Sequence, residues 1–159
     1  MTLTHAVKEH NFLASLPAFQ AEKLLALATE VQFKENELIL TAHEQSRDFY
    51  LLLEGTVCVE VSTRAYSVCI QALGPGEAFG WTSLLNQHDT LFQVRARDNC
   101  RALKITASDL SAAFEADPVL AREVLRRALA LAADRVAATE ARLAELCGVP
   151  SRKHRGHAR

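Results

Sequence analysis

The residues of this chain best suited to chemistry are a glycine and the four residues after it, Gly80, Trp81, Thr82, Ser83 and Leu84. A glycine allows a sharp bend and a close approach of a ligand to the backbone. The residues after it are typical of one or two turns of helix, whose first N–H groups have no partner within the helix. Free amides beside two hydroxyl groups suit an anion. A capped surface helix without a ligand is the alternative, and these residues alone leave it open.

No pattern typical of catalysis or of a metal site accompanies this stretch. The four cysteines lie far apart without a C-x-x-C pair, and the six histidines show no ligand-like spacing to them. This argues against a structural zinc or iron–sulfur site and against a resident cofactor. Cys58 and Cys69 could face each other across a hairpin, but the favoured interpretation is that both are reduced core thiols. No triad or paired-carboxylate spacing stands out, so we expect a binding protein and not an enzyme.

Length and charge limit the partners. The chain has 159 residues, enough for one domain with a core of its own. Its formal net charge is −1, and because four basic and no acidic residues fall in positions 151–159, the rest of the chain is acidic. That distribution argues against nucleic acid as a partner. No apolar run reaches the ~20 residues that span a bilayer, and no signal pattern opens the chain, so we predict a cytoplasmic protein without membrane contact.

The elements that must position the glycine stretch are mostly short strands. The pattern predicts a helix from about Pro17 to Ala28, a short helix from Ser108–Asp109 to Phe114, and a long helix from Asp117–Pro118 to Leu146. Between them, runs of Val, Leu, Ile and Phe separated by turn residues predict strands at 31–33, 37–40, 49–53, 57–61, 68–72, 92–96 and 102–105. Strands at this spacing without βαβ alternation predict a mainly β protein, an antiparallel, jelly-roll-like β-roll with flanking helices.

The long helix has a second apolar stripe. Small and apolar residues recur along it in alternating steps of four and three, at Leu125, Leu129, Ala132, Val136, Thr139, Leu143 and Leu146. Such a heptad pattern is best buried against an identical helix. We therefore predict a homodimer whose interface holds Leu129, Ala132, Val136, Thr139, Leu143 and Leu146; packing of the first turns on the chain's own sheet is the alternative.

The order of these elements and two motifs resemble the cyclic nucleotide-binding domain of the catabolite-activator family, kinase regulatory subunits and gated channels. The motifs are Phe49-Tyr-Leu-Leu-Leu-Glu-Gly55-Thr-Val57 and Leu73-Gly-Pro-Gly-Glu-Ala-Phe-Gly80, supported by Val94-Arg-Ala96. Two turn glycines common in the family stand here as Asn36 and His43, which tolerate positive φ. The resemblance divides the chain into a flexible N-terminus (1–11), a binding domain (12–147) that includes the long helix at about 118–146, and a basic disordered tail (148–159).

The resemblance implies a ligand inside the roll, with its phosphate at the short helix and its base toward the long helix. In the family, a Glu just after the glycine binds the ribose and an Arg some ten residues later binds the phosphate. Here Trp81 and Thr90 stand at those positions. Threonine does not replace a bidentate guanidinium, and the bulky Leu91 and Phe92 follow it. The expected ligand site therefore comprises Gly80, Trp81, Thr82, Ser83, Leu84, Thr90, Leu91, Phe92 and Arg95.

Two functions follow from the resemblance. One is a regulatory sensor of a small anionic ligand, cyclic AMP, cyclic GMP or a relative, which signals through the dimer helix to an unknown downstream protein. The other is a degenerate domain that has lost the ligand and works as a dimerisation or interaction module. A transcription factor fits less well, since no helix-turn-helix domain is expected in the nine residues after Pro150.

Overall fold

The computed structural model describes residues 7, 9–85 and 89–149. The helices are α1 (Asn11–Ala14), α2 (Ala18–Ala26), α3 (Ala107–Ala116), α4 (Pro118–Leu146) and a 3-10 helix (Trp81–Leu84). The strands are β1 (Thr29–Phe33), β2 (Leu38–Leu40), β3 (Asp48–Glu54), β4 (Val57–Ser62), β5 (Ser67–Leu73), β6 (Ala78–Phe79), β7 (Gln93–Ala96) and β8 (Cys100–Thr106). The predicted mainly β fold with flanking helices and a long C-terminal helix is confirmed.

Two four-stranded antiparallel sheets, in the orders β1-β8-β3-β6 and β2-β7-β4-β5, form the roll. Strand β3 is buried on both faces, which explains its unbroken apolar run. Phe49, Leu51 and Leu53 pack in one core cluster together with residues of the helices. Tyr50 and Leu52 point the other way, into a second cluster with residues of β4, β6 and β7. Helices therefore cover one face of β3, and the interior of the roll lies on the other.

The two C-terminal helices begin where a side chain caps them. Asp117 Oδ1 accepts hydrogen bonds from the amides of Val119 and Leu120, both at 3.1 Å, and Pro118 occupies the first helical position. Lys23 of α2 also donates to Asp117, and this contact lowers the pKa of the carboxyl. Helix α4 has the predicted bounds. Helix α3 starts earlier than predicted, because its cap is Thr106, whose Oγ1 accepts from the Asp109 amide at 3.1 Å.

The backbone carries left-handed residues where the family resemblance implied them. Asn36 has a φ of 67° and His43 a φ of 63°, and they are the non-glycine residues with positive φ in the described part of the chain. Both are residue types that adopt this conformation at low cost. The two turns are thus kept without glycine.

The cysteine prediction is wrong. The structure joins Cys58 of β4 and Cys69 of β5 by a disulfide, with their Cα atoms 5.9 Å apart. The hairpin is not symmetrical, because a register shift follows Val59 and places Cys69 opposite Glu60. Cys100 and Cys147 remain free thiols. The predicted cytoplasmic location stays a prediction, and disulfides are rare in that compartment.

The ends of the chain lie partly outside the described residues. Most of the predicted flexible N-terminus (1–11) and residues 150–159 of the predicted disordered tail belong to that part. At the N-terminal boundary, Asn11 begins α1 and His10 is only 1% exposed, and the division of the chain into these segments stays a prediction. Among the described helices, none is both long and apolar enough to cross a membrane.

His10 ties α1 to the roll through both ring nitrogens. Its Nδ1 accepts from the amide of Phe12 at 3.3 Å and caps α1, while Nε2 lies 3.1 Å from the carbonyl oxygen of Glu77. An acceptor Nδ1 and a donor Nε2 fit the neutral imidazole. Burial, the largest cause, lowers the pKa of His10 below its ordinary value of 6.5. The folded protein therefore favours the neutral ring.

This predicts a loss of stability in mild acid. Below about pH 6.5 the unfolded chain binds a proton at His10 that the folded protein does not, so the free energy of unfolding falls as pH falls. The free energy of unfolding changes by at most about 1.4 kcal/mol per pH unit, and this change stops once the pH lies below the lowered pKa of His10. His10→Asn keeps a capping oxygen but does not titrate. Urea unfolding at pH 7.5, 6.5 and 5.5 should show the slope in the parent protein only; equal slopes in both would contradict the prediction.

Candidate ligand-binding site

A cavity of about 870 Å³ opens between the interior of the roll and helix α4. Its apolar wall comes from β2, β3, β6, β7, the 3-10 helix region and α4: Ile39, Leu40, Tyr50, Phe79, Trp81, Leu85, Phe92, Val94, Ala132, Val136 and Leu143. The rings of Tyr50 and Phe79 stack in this wall, with centroids 4.9 Å apart and planes 12° apart. The size and the aromatic lining suit a small organic molecule.

Gly80 lines one side of the cavity. Its missing side chain allows close packing against the backbone of β3; it does not provide space for a ligand. Gly80 has a φ of 78°, and a Cβ atom at this position would lie 2.5 Å from the carbonyl oxygen of Asp48 in β3. The 3-10 helix that follows is one turn long. Its internal bonds already use the Ser83 amide, which donates to the Gly80 oxygen at 2.9 Å. Fewer amides than expected are therefore available to an anion.

Five of the nine predicted site residues meet at the cavity: Gly80, Trp81, Thr82, Thr90 and Phe92. The other four are placed elsewhere. Ser83 is buried, its Oγ has no hydrogen-bond partner within residues 7, 9–85 and 89–149, and it does not line the cavity. Leu84 packs against the helical core cluster, and Leu91 is 52% exposed. Of the two bulky residues that follow Thr90, only Phe92 lines the cavity.

Arg95, the fourth predicted site residue that does not line the cavity, points away from it and forms an ion pair with Glu60. Its Nε lies 2.9 Å from Oε1 of Glu60, and its Nη1 donates to the Asn36 carbonyl oxygen at 2.9 Å. Glu60 is 2% exposed and also accepts from Gln93 Nε2 at 2.7 Å. Because successive side chains of β7 alternate, Phe92 and Val94 line the cavity while Gln93 and Arg95 point to the opposite face. Arg95 thus compensates a buried carboxylate.

Arg135 of α4 is the cation that the sequence analysis missed. Its side chain lines the cavity, with Cζ 5.5 Å from the centroid of the Phe92 ring and Nε donating to Gln71 Oε1 at 2.7 Å. Burial lowers the pKa of its guanidinium to about 10, so the group is charged at neutral pH. The helix carries several arginines, and only the three-dimensional contacts single out this one.

The other charged groups of the cavity are mostly acidic. Four carboxylates line it, those of Glu44, Asp48, Asp89 and Glu140, beside the second arginine, Arg47. Tyr50 donates its hydroxyl proton to Asp48 Oδ2 at 3.4 Å. Burial first, and Asp48 second, raise the pKa of Tyr50, so the phenol stays neutral. The cavity therefore does not attract multiply charged anions in general.

The predicted dimer stripe and the cavity share residues. Ala132, Val136, Thr139 and Leu143 line the cavity, whereas Leu129 and Leu146 do not. The larger apolar members of the stripe are exposed in the single chain: Leu129 is 72%, Val136 57%, Leu143 60% and Leu146 84% exposed. Thr139 Oγ1 bonds to the Arg135 carbonyl oxygen at 2.8 Å. Among the described residues nothing covers these four side chains, and the homodimeric role of the stripe stays a prediction.

No set of three or more His, Cys, Asp or Glu side chains in the described ranges is arranged to hold a metal ion. The chain offers a cavity with one desolvated cation, four threonines in its lining (Thr41, Thr82, Thr90 and Thr139), and aromatic walls. This arrangement can bind a ligand.

Comparison with known proteins identifies relatives. The family model for the cyclic nucleotide-binding domain matches residues 30–117. No curated protein sequence matches. Among solved structures, a candidate cyclic nucleotide-binding protein from Geobacter metallireducens has a TM-score of 0.71 at 24% identity; the match covers 86% of this chain and 99% of that one.

In two further structures the match covers only part of a longer chain. The c-di-GMP responsive global regulator CLP of Xanthomonas campestris has a TM-score of 0.74 at 18% identity, over 84% of this chain and 66% of that one. The regulatory subunit of a cAMP-independent protein kinase A from Trypanosoma brucei has a TM-score of 0.64 at 22% identity, over 79% of this chain and 45% of that one. At these identities the likeness concerns the fold.

Proposed function

This chain belongs to the cyclic nucleotide-binding domain family, and on that premise we propose that it is a regulatory domain that binds a small ligand and signals through α4. The observation that carries the proposal is the position of the cavity, which α4 closes with four residues of its own dimer stripe. A ligand in the cavity contacts the element that would transmit its presence. Regulation requires that the ligand bind two positions of α4 with different affinity.

The proposed ligand is a cyclic nucleotide or a related small anion. The family supports this class, and the aromatic wall supports a ligand with a planar ring system. The relatives differ in the nucleotide that their names give, since CLP is described as c-di-GMP responsive. We include cyclic AMP and cyclic GMP as candidates, within a cytoplasmic homodimer that acts on a downstream protein, and c-di-GMP, which carries two negative charges, as a comparison ligand in the titration.

Loss of ligand binding is the second candidate, favoured by Thr90 and Trp81 at the positions of the phosphate and ribose contacts. The kinase regulatory subunit from Trypanosoma brucei is described as cAMP-independent. A variant of it with three substitutions, among them threonine to arginine and valine to alanine, is described as bound to cAMP. In this reading the present domain works through protein contacts alone.

Calorimetric titration of the purified protein separates the two candidates. Cyclic AMP, cyclic GMP and c-di-GMP are added from millimolar stocks, with adenosine as the control that lacks a phosphate. Saturable binding tighter than about 0.1 mM, roughly −5.5 kcal/mol, by a cyclic nucleotide and not by adenosine supports the sensor. Absence of heat and of any thermal shift with all three nucleotides would contradict it and favour the module without ligand.

Restoring the family contacts is expected to raise the affinity for cyclic AMP. In the double variant Trp81→Glu with Thr90→Arg, a guanidinium and a carboxylate are placed beside the cavity that both residues line. Charge-assisted hydrogen bonds of this kind contribute about 1.5–3 kcal/mol, so we expect at least about a tenfold gain by calorimetry.

The matched control is Trp81→Glu with Thr41→Arg, which adds the same charges but puts the arginine on the β2 side of the cavity. An equal gain in both variants would mean that added charge alone is responsible. No gain in a folded test variant would mean that Phe92, with Arg135 above its ring, occupies the space of the phosphate.

A further inference from the structure

We infer that Arg135 of α4 binds the anionic group of the ligand, and that the ligand is a planar monoanion whose charged end lies against the long helix. This inference rests on the proposed function, because it assigns the chemistry of the same cavity. It reverses the orientation that the family resemblance implies, in which the anion lies at the 3-10 helix.

Arg135 has unfilled hydrogen-bonding capacity. A guanidinium has five N–H donors, and in the described part of the chain only Nε donates, to the neutral amide oxygen of Gln71. Within the described residues no carboxylate lies at ion-pair distance from it, whereas Arg95, Arg101 and Arg127 each pair with an acid. The two terminal nitrogens of Arg135, with four N–H groups, are therefore available to a ligand.

Without a ligand, the buried guanidinium of Arg135 is energetically costly. Burial holds the pKa of Arg135 at about 10, and no opposite charge offsets the desolvation. A desolvated cation is stabilised most by an anion that reaches it through paired hydrogen bonds. The Gln71 bond and the Phe92 ring fix the guanidinium in place, so the ligand meets an ordered group.

The predicted anion site at the 3-10 helix is poorly suited to a phosphate. Gly80 approaches the Asp48 carbonyl oxygen, the Ser83 amide is bonded internally, and Arg95 is held by Glu60. The 3-10 helix itself, residues 81–84, carries no basic side chain. Among the described residues that line the cavity, the cations are Arg135 and Arg47, and Arg47 is exposed at the end of the β2–β3 loop.

The shape and charge of the cavity define the ligand class. The stacked Tyr50 and Phe79 rings, with Trp81 and Phe92, make flat apolar walls that suit a planar body. The four carboxylates of the lining outnumber the two arginines, so a second negative charge would be repelled. An aromatic carboxylate, sulfonate or cyclic monophosphate meets these conditions.

The test uses two fluorescent probes with the same aromatic body. Anilinonaphthalene sulfonate carries one negative charge, and phenylnaphthylamine carries none. Their dissociation constants are measured for the full chain, for Arg135→Gln, for Arg135→Lys and for the control Arg126→Gln. Arg126 lies two and a half turns earlier on α4, is exposed and is not part of the cavity lining. Thermal unfolding of each variant establishes that it is folded.

We expect Arg135→Gln to weaken sulfonate binding at least about tenfold and to change binding of the neutral probe less than twofold. Arg135→Lys keeps the charge and should fall between the parent and Arg135→Gln. Arg126→Gln should match the parent. Sulfonate binding that is equally tight in Arg135→Gln, or equally weakened by Arg126→Gln, would overturn the assignment of Arg135 while leaving ligand binding intact. If neither probe nor any cyclic nucleotide binds the parent, both the assignment of Arg135 and the proposed function are wrong.

Discussion

The substitution Gly80→Ala is expected to lower the free energy of unfolding by about 2–5 kcal/mol. The left-handed backbone at Gly80 costs a residue with a side chain about 1–2 kcal/mol. The added Cβ would lie 2.5 Å from the Asp48 carbonyl oxygen, so β3 or the 3-10 helix must shift, at a further cost of about 1–3 kcal/mol. Denaturant unfolding of the variant measures the sum.

Gly148→Ala separates the two contributions. Gly148 has a φ of 66°, but a Cβ atom there would meet no atom within 4 Å. Gly148→Ala therefore tests only the cost of the left-handed backbone, and we expect it to lower the free energy of unfolding by no more than about 1–2 kcal/mol. Equal losses at Gly80 and Gly148 would show that the close contact of Gly80 with β3 contributes nothing.

The second large effect is expected at the exposed stripe of α4. Val136→Glu together with Leu143→Glu should convert the predicted dimer into a monomer and raise the dimer dissociation constant at least about a hundredfold. Each buried aliphatic side chain contributes about 1.5–3 kcal/mol, and the introduced carboxylates would face each other across the two-fold axis. Sedimentation velocity over a range of protein concentrations measures the change.

Val136 and Leu143 also line the cavity, so a second pair of substitutions is needed at stripe residues outside the cavity. Leu129→Glu with Leu146→Glu alters residues that do not line it and should have the same effect on mass. Ala130→Glu with Ala141→Glu places the same charges on exposed positions of the opposite side of α4 and should leave the dimer intact. If the dimer survives both in Val136→Glu with Leu143→Glu and in Leu129→Glu with Leu146→Glu, the stripe is excluded as the interface.

Elements governed by local chemistry were predicted well from the sequence. Helix α4 begins and ends as predicted, because the Asp117 cap, Pro118 and Gly148 act on their own neighbourhood. Strand β3 was recognised from its unbroken apolar run. The two-residue strand β6 was not predicted, since it exists only through its pairing with Tyr50 and Leu51.

The site was predicted less well, because its residues depend on contacts that are remote in sequence. The face to which Arg95 points depends on the phase of β7, which the sequence did not determine, and a buried acid in β4 engages its guanidinium. The disulfide depends on a register shift after Val59. Arg135 stands out from the other arginines of its helix only because Phe92 and Gln71 approach it. The heptad pattern places Arg135 next to Val136, but it does not show which side chains lie opposite Arg135.

The residues shared by the cavity and the stripe make the two proposed binding events interdependent. Val136, Thr139 and Leu143 cannot change position for a ligand without changing the surface offered to a second chain. Thermodynamic reciprocity then requires that dimerisation alter ligand affinity by the same factor by which ligand alters the dimer. The apparent affinity for ligand would consequently vary with protein concentration, so the abundance of the chain in the cell would itself set its sensitivity.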